Sequence, residues 1–237
     1  MFKTFKIFIY ILFLTILVTN DSNLSADHLD EFEGEFKLSG QIVNGTSPSV
    51  DTTYEIKLMA TQNSSSELID IEIINTNKNF DFKKVIIDEA FTYFLIVNHQ
   101  DIPTIVFVED IENPENINIT VYDRVFTPKD IEVIDYSIMV PHISPDSDII
   151  SVLGLISFTN DSKSTYFADL TDPNTSGLNL LRFSLPENFE NLSVDSDLPP
   201  GNVMQIPTGF ALSNPVPPGD HQILYSYSMP RNTGSIK

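Results

Sequence analysis

From Phe36 onward, apolar residues recur at every second position, and each short run is closed by turn-forming residues. A period of two marks a strand with one buried and one wet face, because successive side chains point to opposite sides. Phe36, Leu38, Gly40 and Ile42 alternate with Lys37, Ser39 and Gln41, and Asn44-Gly45 follows as a turn. Tyr54, Ile56, Leu58 and Ala60 make a second run; Ile69, Ile71 and Ile73 make a third around Asp70 and Glu72. Phe80 and Phe82 flank Asp81. Thr92 to Asn98 and Thr104 to Val108 are apolar almost throughout, as strands covered on both faces are, with Pro103 at a turn or an edge between them. Ile117, Ile119 and Val121 complete a seventh run. Seven short strands over about ninety residues, with no helix-period segment, predict a β-sandwich.

The alternation pauses from Asp123 to Asp130, with Pro128 inside, which predicts a domain boundary. Beyond it, Ile131 to Met139 and Ile149 to Thr159 are strand-like, joined by a loop holding Pro141, Pro145, Asp146 and Asp148. Ser164 to Asp169 and Leu181 to Leu185 are shorter candidates, and prolines from Pro199 to Pro218 punctuate the chain up to a last clear strand, Gln222 to Ser228. Proline is tolerated at sheet edges and turns, so a second sandwich with long loops is expected. The predicted class is all-β: one sandwich over residues 34–124 and another over 131–230.

The first segment departs from this pattern. Lys3 and Lys6 precede an apolar stretch from Ile7 to Val18, broken only by Thr15, and a mostly polar run ends at Ala26. That order of basic, apolar and small-residue regions predicts a secretion signal over residues 1–26. The stretch is shorter than the roughly 20 apolar residues of a membrane span, so cleavage is expected over retention as an anchor.

Charge and cysteine usage narrow the classes further. The chain carries a formal charge of −20, and removal of Lys3, Lys6 and Asp21 with the signal leaves 11 basic and 32 acidic residues, a charge of −21. With no basic patch to displace counterions, nucleic-acid binding is set aside. The acidity is dispersed between apolar residues, which fits solubility more than a dedicated cation site. No cysteine is present, which excludes disulfides, thiol nucleophiles and thiolate metal sites.

Ser39-Gly40-Gln41-Ile42-Val43-Asn44-Gly45-Thr46 resembles the opening strand and turn of carboxypeptidase-regulatory-like domains, which are transthyretin-like sandwiches. Phe80-Asp81-Phe82 stands where such domains carry a glycine before an aromatic alternation, although the glycine is missing. Leu181-Arg182-Phe183-Ser184-Leu185-Pro186, Gly209-Phe210-Ala211 and Pro217-Pro218-Gly219, then Tyr225 and Tyr227, together with Ile119 to Asp123, are similar to a group of exported bacterial and archaeal proteins that begin with this domain. The resemblance covers nearly all of the chain after the signal. It implies an Ig-like or transthyretin-like fold and an extracytoplasmic compartment, with no activity to carry over. Members often continue into another β segment and a membrane helix, so a chain ending at Lys237 reads as a short form or a truncated frame.

Candidate chemistry is sparse. His28, His99, His142 and His221 share no zinc spacing. His142 with Asp146 and His99 with Asp101 could be general-base pairs, but no nucleophile motif accompanies them. Asp146-Ser147-Asp148 and Asp195-Ser196-Asp197 offer oxygen ligands without an EF-hand's glycine and distal glutamate. Asn44, Asn63, Asn118, Asn160, Asn174 and Asn191 open N-x-S/T sequons. Tyr166, Phe167, Phe210, Tyr225 and Tyr227 could make a sugar-stacking platform, but their alternation with small or polar residues favours core packing. No catalytic, cofactor-binding or metal residue is assigned. The expectation is a secreted, periplasmic or cell-surface module that is not an enzyme and binds a protein or glycan; carbohydrate binding, or a metal-assisted hydrolase, are the competing readings.

Overall fold

The computed structural model describes residues 35–48, 52–62, 68–86, 90–108, 116–141, 147–169 and 179–231. The expected secretion signal, His28, and the pair His142 and Asp146 lie outside them. The described residues are all-β with no helix, and none of their segments is a helix able to cross a membrane. They fall into two compact units, one ending at Asp123 and the other beginning at Arg124.

The first unit contains Glu35–Asn44 (β1), Tyr54–Gln62 (β2), Leu68–Thr76 (β3), Asn79–Ile86 (β4), Phe91–His99 (β5), Ile102–Phe107 (β6) and Ile117–Val121 (β7). They form two sheets, β4-β1-β7 and β3-β2-β5-β6. All pairings are antiparallel except one: β1 and β7 run parallel, Gly40 to Asn44 beside Ile117 to Val121. The alternating residues of the sequence meet between the sheets. Leu38, Ile56, Leu58, Phe82 and Leu95 lose all solvent contact, and Ile119 nearly all. Each such burial contributes about 1.5–3 kcal/mol.

Two expectations are corrected here. In β3 the pairing slips between Leu58 and Met59, and this bulge inverts the phase: Ile73 opposes Lys57 and is half exposed, while Ile74 opposes Ile56 and packs on the core. Coverage on both faces holds for β5, where Phe94 is buried against Phe107 on the side away from the core. It does not hold for β6, an edge strand that is part-exposed along most of its length and accommodates Pro103.

The second unit contains Arg124–Val125 (β8), Ile131–Met139 (β9), Ile149–Asn160 (β10), Thr165–Tyr166 (β11), Leu181–Ser184 (β12), Glu190–Ser196 (β13), Val203–Ile206 (β14), Gly209–Leu212 (β15) and Gly219–Pro230 (β16). Its sheets are β13-β16-β10-β9, β12-β15-β14 and the short parallel pair β11-β8. β10 and β16 pair over twelve residues and form its spine, with Val152, Ile156, Phe158, Ile223 and Tyr225 directed into the core. The proline-rich stretch is more ordered than its composition suggests. It holds β14 and β15, whose four-residue runs are too short for a period of two to register. The expected strand from Ser164 to Asp169 shrinks to β11.

Candidate functional site

The parallel pairing of β1 and β7 brings the ends of both strands together, and with them a side-chain polar network of the first unit. Asn44, the last residue of β1, donates from Nδ2 to Asp123 Oδ1 at 2.8 Å, while its Oδ1 accepts the backbone N–H of Thr46 and of Ser47, both at 2.9 Å. Ser47 Oγ donates to Asp123 Oδ2 at 2.7 Å, and Thr46 Oγ1 accepts the Asp123 backbone N–H at 2.9 Å. His99, the last residue of β5, lies buried beside the Tyr54 ring, and its Nε2–H donates to Asp123 Oδ1 at 2.8 Å. Burial alone would raise the Asp123 pKa, but hydrogen bonds from His99, Asn44 and Ser47 outweigh it and hold the carboxyl below the usual carboxylate range.

The residue types are those of a hydrolase, but the order of contacts is not. In a triad the histidine stands between nucleophile and carboxylate, so that it can take the hydroxyl proton. Here the carboxylate stands in the middle and accepts from both, so Ser47 gains no base. The imidazole that local spacing sets near Asp101 is bonded to Asp123, 24 residues onward. The arrangement is a clasp that ties the β1 turn, the end of β5 and the end of β7 into one unit. Ser47 and Asp123 escaped the sequence reading; the Asn44-Gly45 turn directly after a strand was their one local signal.

The sequons divide along the same line. Asn44 is buried and its amide is engaged through both its nitrogen and its oxygen. Asn160, the last residue of β10, is 2% exposed and donates from Nδ2 to the carbonyls of Ser164 and Val216 at 2.9 and 2.8 Å, while its Oδ1 accepts from Ser162. Both are turn-closing asparagines, so their N-x-S/T spacing is that of an Asx-turn. Asn118 is exposed and Asn191 donates to Ser228 Oγ; Asn63 and Asn174 lie outside the described residues.

In the second unit, Tyr166, Phe210, Tyr225 and Tyr227 are buried, which settles the aromatic residues as core. Phe167 is part-buried beneath the Arg124 guanidinium, which sits 4.5 Å from its ring and 4.7 Å from that of Phe126. Of the acidic triplets, Asp197 is spent on the fold: it accepts the Gln222 backbone N–H at 2.9 Å and lies 3.6 Å from His221 Nδ1. The other ring nitrogen of His221 is 2.8 Å from the Pro217 carbonyl. Burial would lower the pKa of this imidazole, but the hydrogen bonds to Asp197 and Pro217 and the charges of Asp197 and Asp220 raise it. Among the described residues, no three His, Asp or Glu side chains converge as a metal site.

Two surface features are left. A shallow concavity of about 560 Å³ on the outer face of β4-β1-β7 is lined by Lys37, Gln41, Asn79, Asp81, Asn116 and Asn118, among others. The second is β9, which ends its sheet and whose Val133, Tyr136 and Ile138 are 62%, 50% and 56% exposed.

Compared with protein-family models and with curated proteins, the chain matches none.

Proposed function

We propose that the chain is a non-catalytic binding or assembly module working outside the cytoplasm, with two β-sandwich units as rigid frames. The observation that carries this reading is β9, a long edge strand that shows water a row of large apolar side chains. Such residues are costly to expose and, gathered on one element, mark a surface that a partner covers. Among the described residues, the side chains with catalytic potential singled out above are engaged in the fold, Ser47 and His99 with Asp123 and His221 with Asp197 and Pro217. The basic and apolar order of residues 1–26, and the likeness to exported proteins opening with a carboxypeptidase-regulatory-like domain, supply the compartment.

A photo-crosslinking side chain placed at Ile138 in producing cells tests the reading, with the same group at Asp161 as control. A discrete adduct from position 138 alone is expected. Equal labelling from both positions, or turnover of ester, peptide or glycoside substrates by the purified chain, would overturn it.

A second reading, carbohydrate recognition, draws on the concavity of the first unit. Amides are suited to paired sugar hydroxyls, and Gln41 Nε2 donates to Asn118 Oδ1 at 2.6 Å across its floor. A glycan array on which Gln41→Ala and the parent chain behave alike would remove it.

A further inference from the structure

β9 carries its chemistry in two rows. Across the ladder, Val133 opposes Phe158, Tyr136 opposes Ile156 and Ile138 opposes Gly154, so these three stand on the core-ward face although they extend past the core. Glu132 opposes Thr159, Asp135 opposes Ser157 and Ser137 opposes Leu155, which places both acids on the other face; one extra residue, Ile134, sits at the bulge between them. Edge strands are usually guarded by charge, a bulge, proline or short length, and of these β9 has the bulge and two acids. β9 is nine residues long and contains neither lysine nor proline.

We propose that β9 accepts one further strand from a partner protein, an extended segment whose alternate residues are apolar toward the core-ward face and Lys or Arg toward Glu132 and Asp135. The inference rests on the binding-module reading and gives that module its partner. Backbone hydrogen bonds along the open edge supply affinity, and the side-chain alternation supplies register. The acidic row selects the charge, since opposite charges on facing strands stabilise the pair and like charges destabilise it. The same rule argues against a second copy. Antiparallel pairing of β9 about its own centre sets Asp135 against Asp135, in a chain of net charge −20.

The test uses the full chain and a labelled nonapeptide alternating Lys with Val and Ile. Its companions are a scrambled peptide of the same composition, a version with Glu for Lys, and two versions N-methylated on the odd or the even residues. Fluorescence anisotropy should show the alternating basic peptide binding at least tenfold tighter than the scrambled or acidic one. One N-methylated version should lose binding and the other keep it, because only one edge of the added strand pairs. Hydrogen exchange should slow at β9. Ile138→Lys should weaken binding at least tenfold, and Asp135→Lys should shift preference toward the acidic peptide; both sites are exposed, and unchanged unfolding curves verify the fold. Scrambled and alternating basic peptides binding alike, or both N-methylated versions binding alike, would overturn strand addition. Protection of β9 by the acidic peptide, or by self-association, would overturn the basic partner while leaving the binding reading intact. If no peptide and no second copy protects β9, while Ile138 gives no crosslink in cells, both fall.

Discussion

Gly154 stands directly across the ladder from Tyr225, and the tyrosine ring fills the space that any side chain at 154 would need: a Cβ there would lie 2.2 Å from the ring's Cζ. The ring thereby passes over β10, and its hydroxyl meets that of Tyr136 on β9 at 2.5 Å. The open edge strand is thus held to β16 by a side chain that crosses the strand between them. The ring is also tilted against Phe210 and stacked near-parallel to Tyr227.

Gly154→Ala should lower stability by about 1–3 kcal/mol, the usual cost of overpacking a filled core site. Denaturant unfolding should show an earlier midpoint at an unchanged slope. A midpoint equal to that of the parent chain would mean that Tyr225 can move aside freely, and the crossing contact would lose its structural weight.

Asp123→Asn should cost about 1–3 kcal/mol at neutral pH, because His99 and Ser47 lose a charged acceptor. The folded pKa lies below the ordinary value of 3.8, so this carboxylate's contribution is present above 3.8 and is lost as pH falls through the folded value. Unfolding curves of parent and variant should therefore draw together toward about pH 2. A gap that stays constant across that range would assign the loss to shape alone.

His221→Gln should show the opposite pH dependence. The folded pKa lies above the ordinary 6.5, so the imidazolium contributes fully below 6.5 and its contribution disappears as pH rises through the folded value. The variant should be less stable than the parent at about pH 5 and close to it by about pH 9. Asp197→Asn should reduce that pH dependence. Parallel stability profiles for parent and His221→Gln would contradict the pairing.

Asn44→Ala and Asn160→Ala should each cost about 1–3 kcal/mol, the penalty for leaving buried backbone groups unpaired. Asn118→Ala, at the surface, should stay within about 0.5 kcal/mol. Expression in a glycosylating host followed by peptide mass mapping should place sugar at Asn118 and none at Asn44 or Asn160; a glycan on either buried asparagine would contradict the turn geometry described above.

Much of the first unit was legible from the period of two, since Leu38, Ile56, Phe82 and Ile119 alternate with polar neighbours and fill one interior. The misreading at Ile73 has a definite cause: a bulge shifts register by one residue, and a pattern of isoleucines on both phases hides it. In the second unit β14 and β15 were hidden because four residues give too few alternations to rise above the surrounding prolines. The clasp around Asp123 was out of reach for a different reason. Its members come from three separated stretches, brought together by the parallel pairing of β1 with β7 and by the end of β5 from the facing sheet. The exposure of β9 was equally hidden, since Val133, Tyr136 and Ile138 are apolar as core residues are, and only strand order shows that the core ends before them.

The parallel neighbours β1 and β7 also fix how the first unit would carry load. Two adjacent strands running the same way place the start of one and the finish of the other at opposite ends of the sheet, so tension applied between Glu35 and Asp123 pulls along the shared ladder from Gly40–Ile117 to Asn44–Val121. Its backbone hydrogen bonds would have to break together in shear instead of opening one after another like a zipper. A unit wired in this way resists stretching, and single-molecule extension reads it directly as a high rupture force.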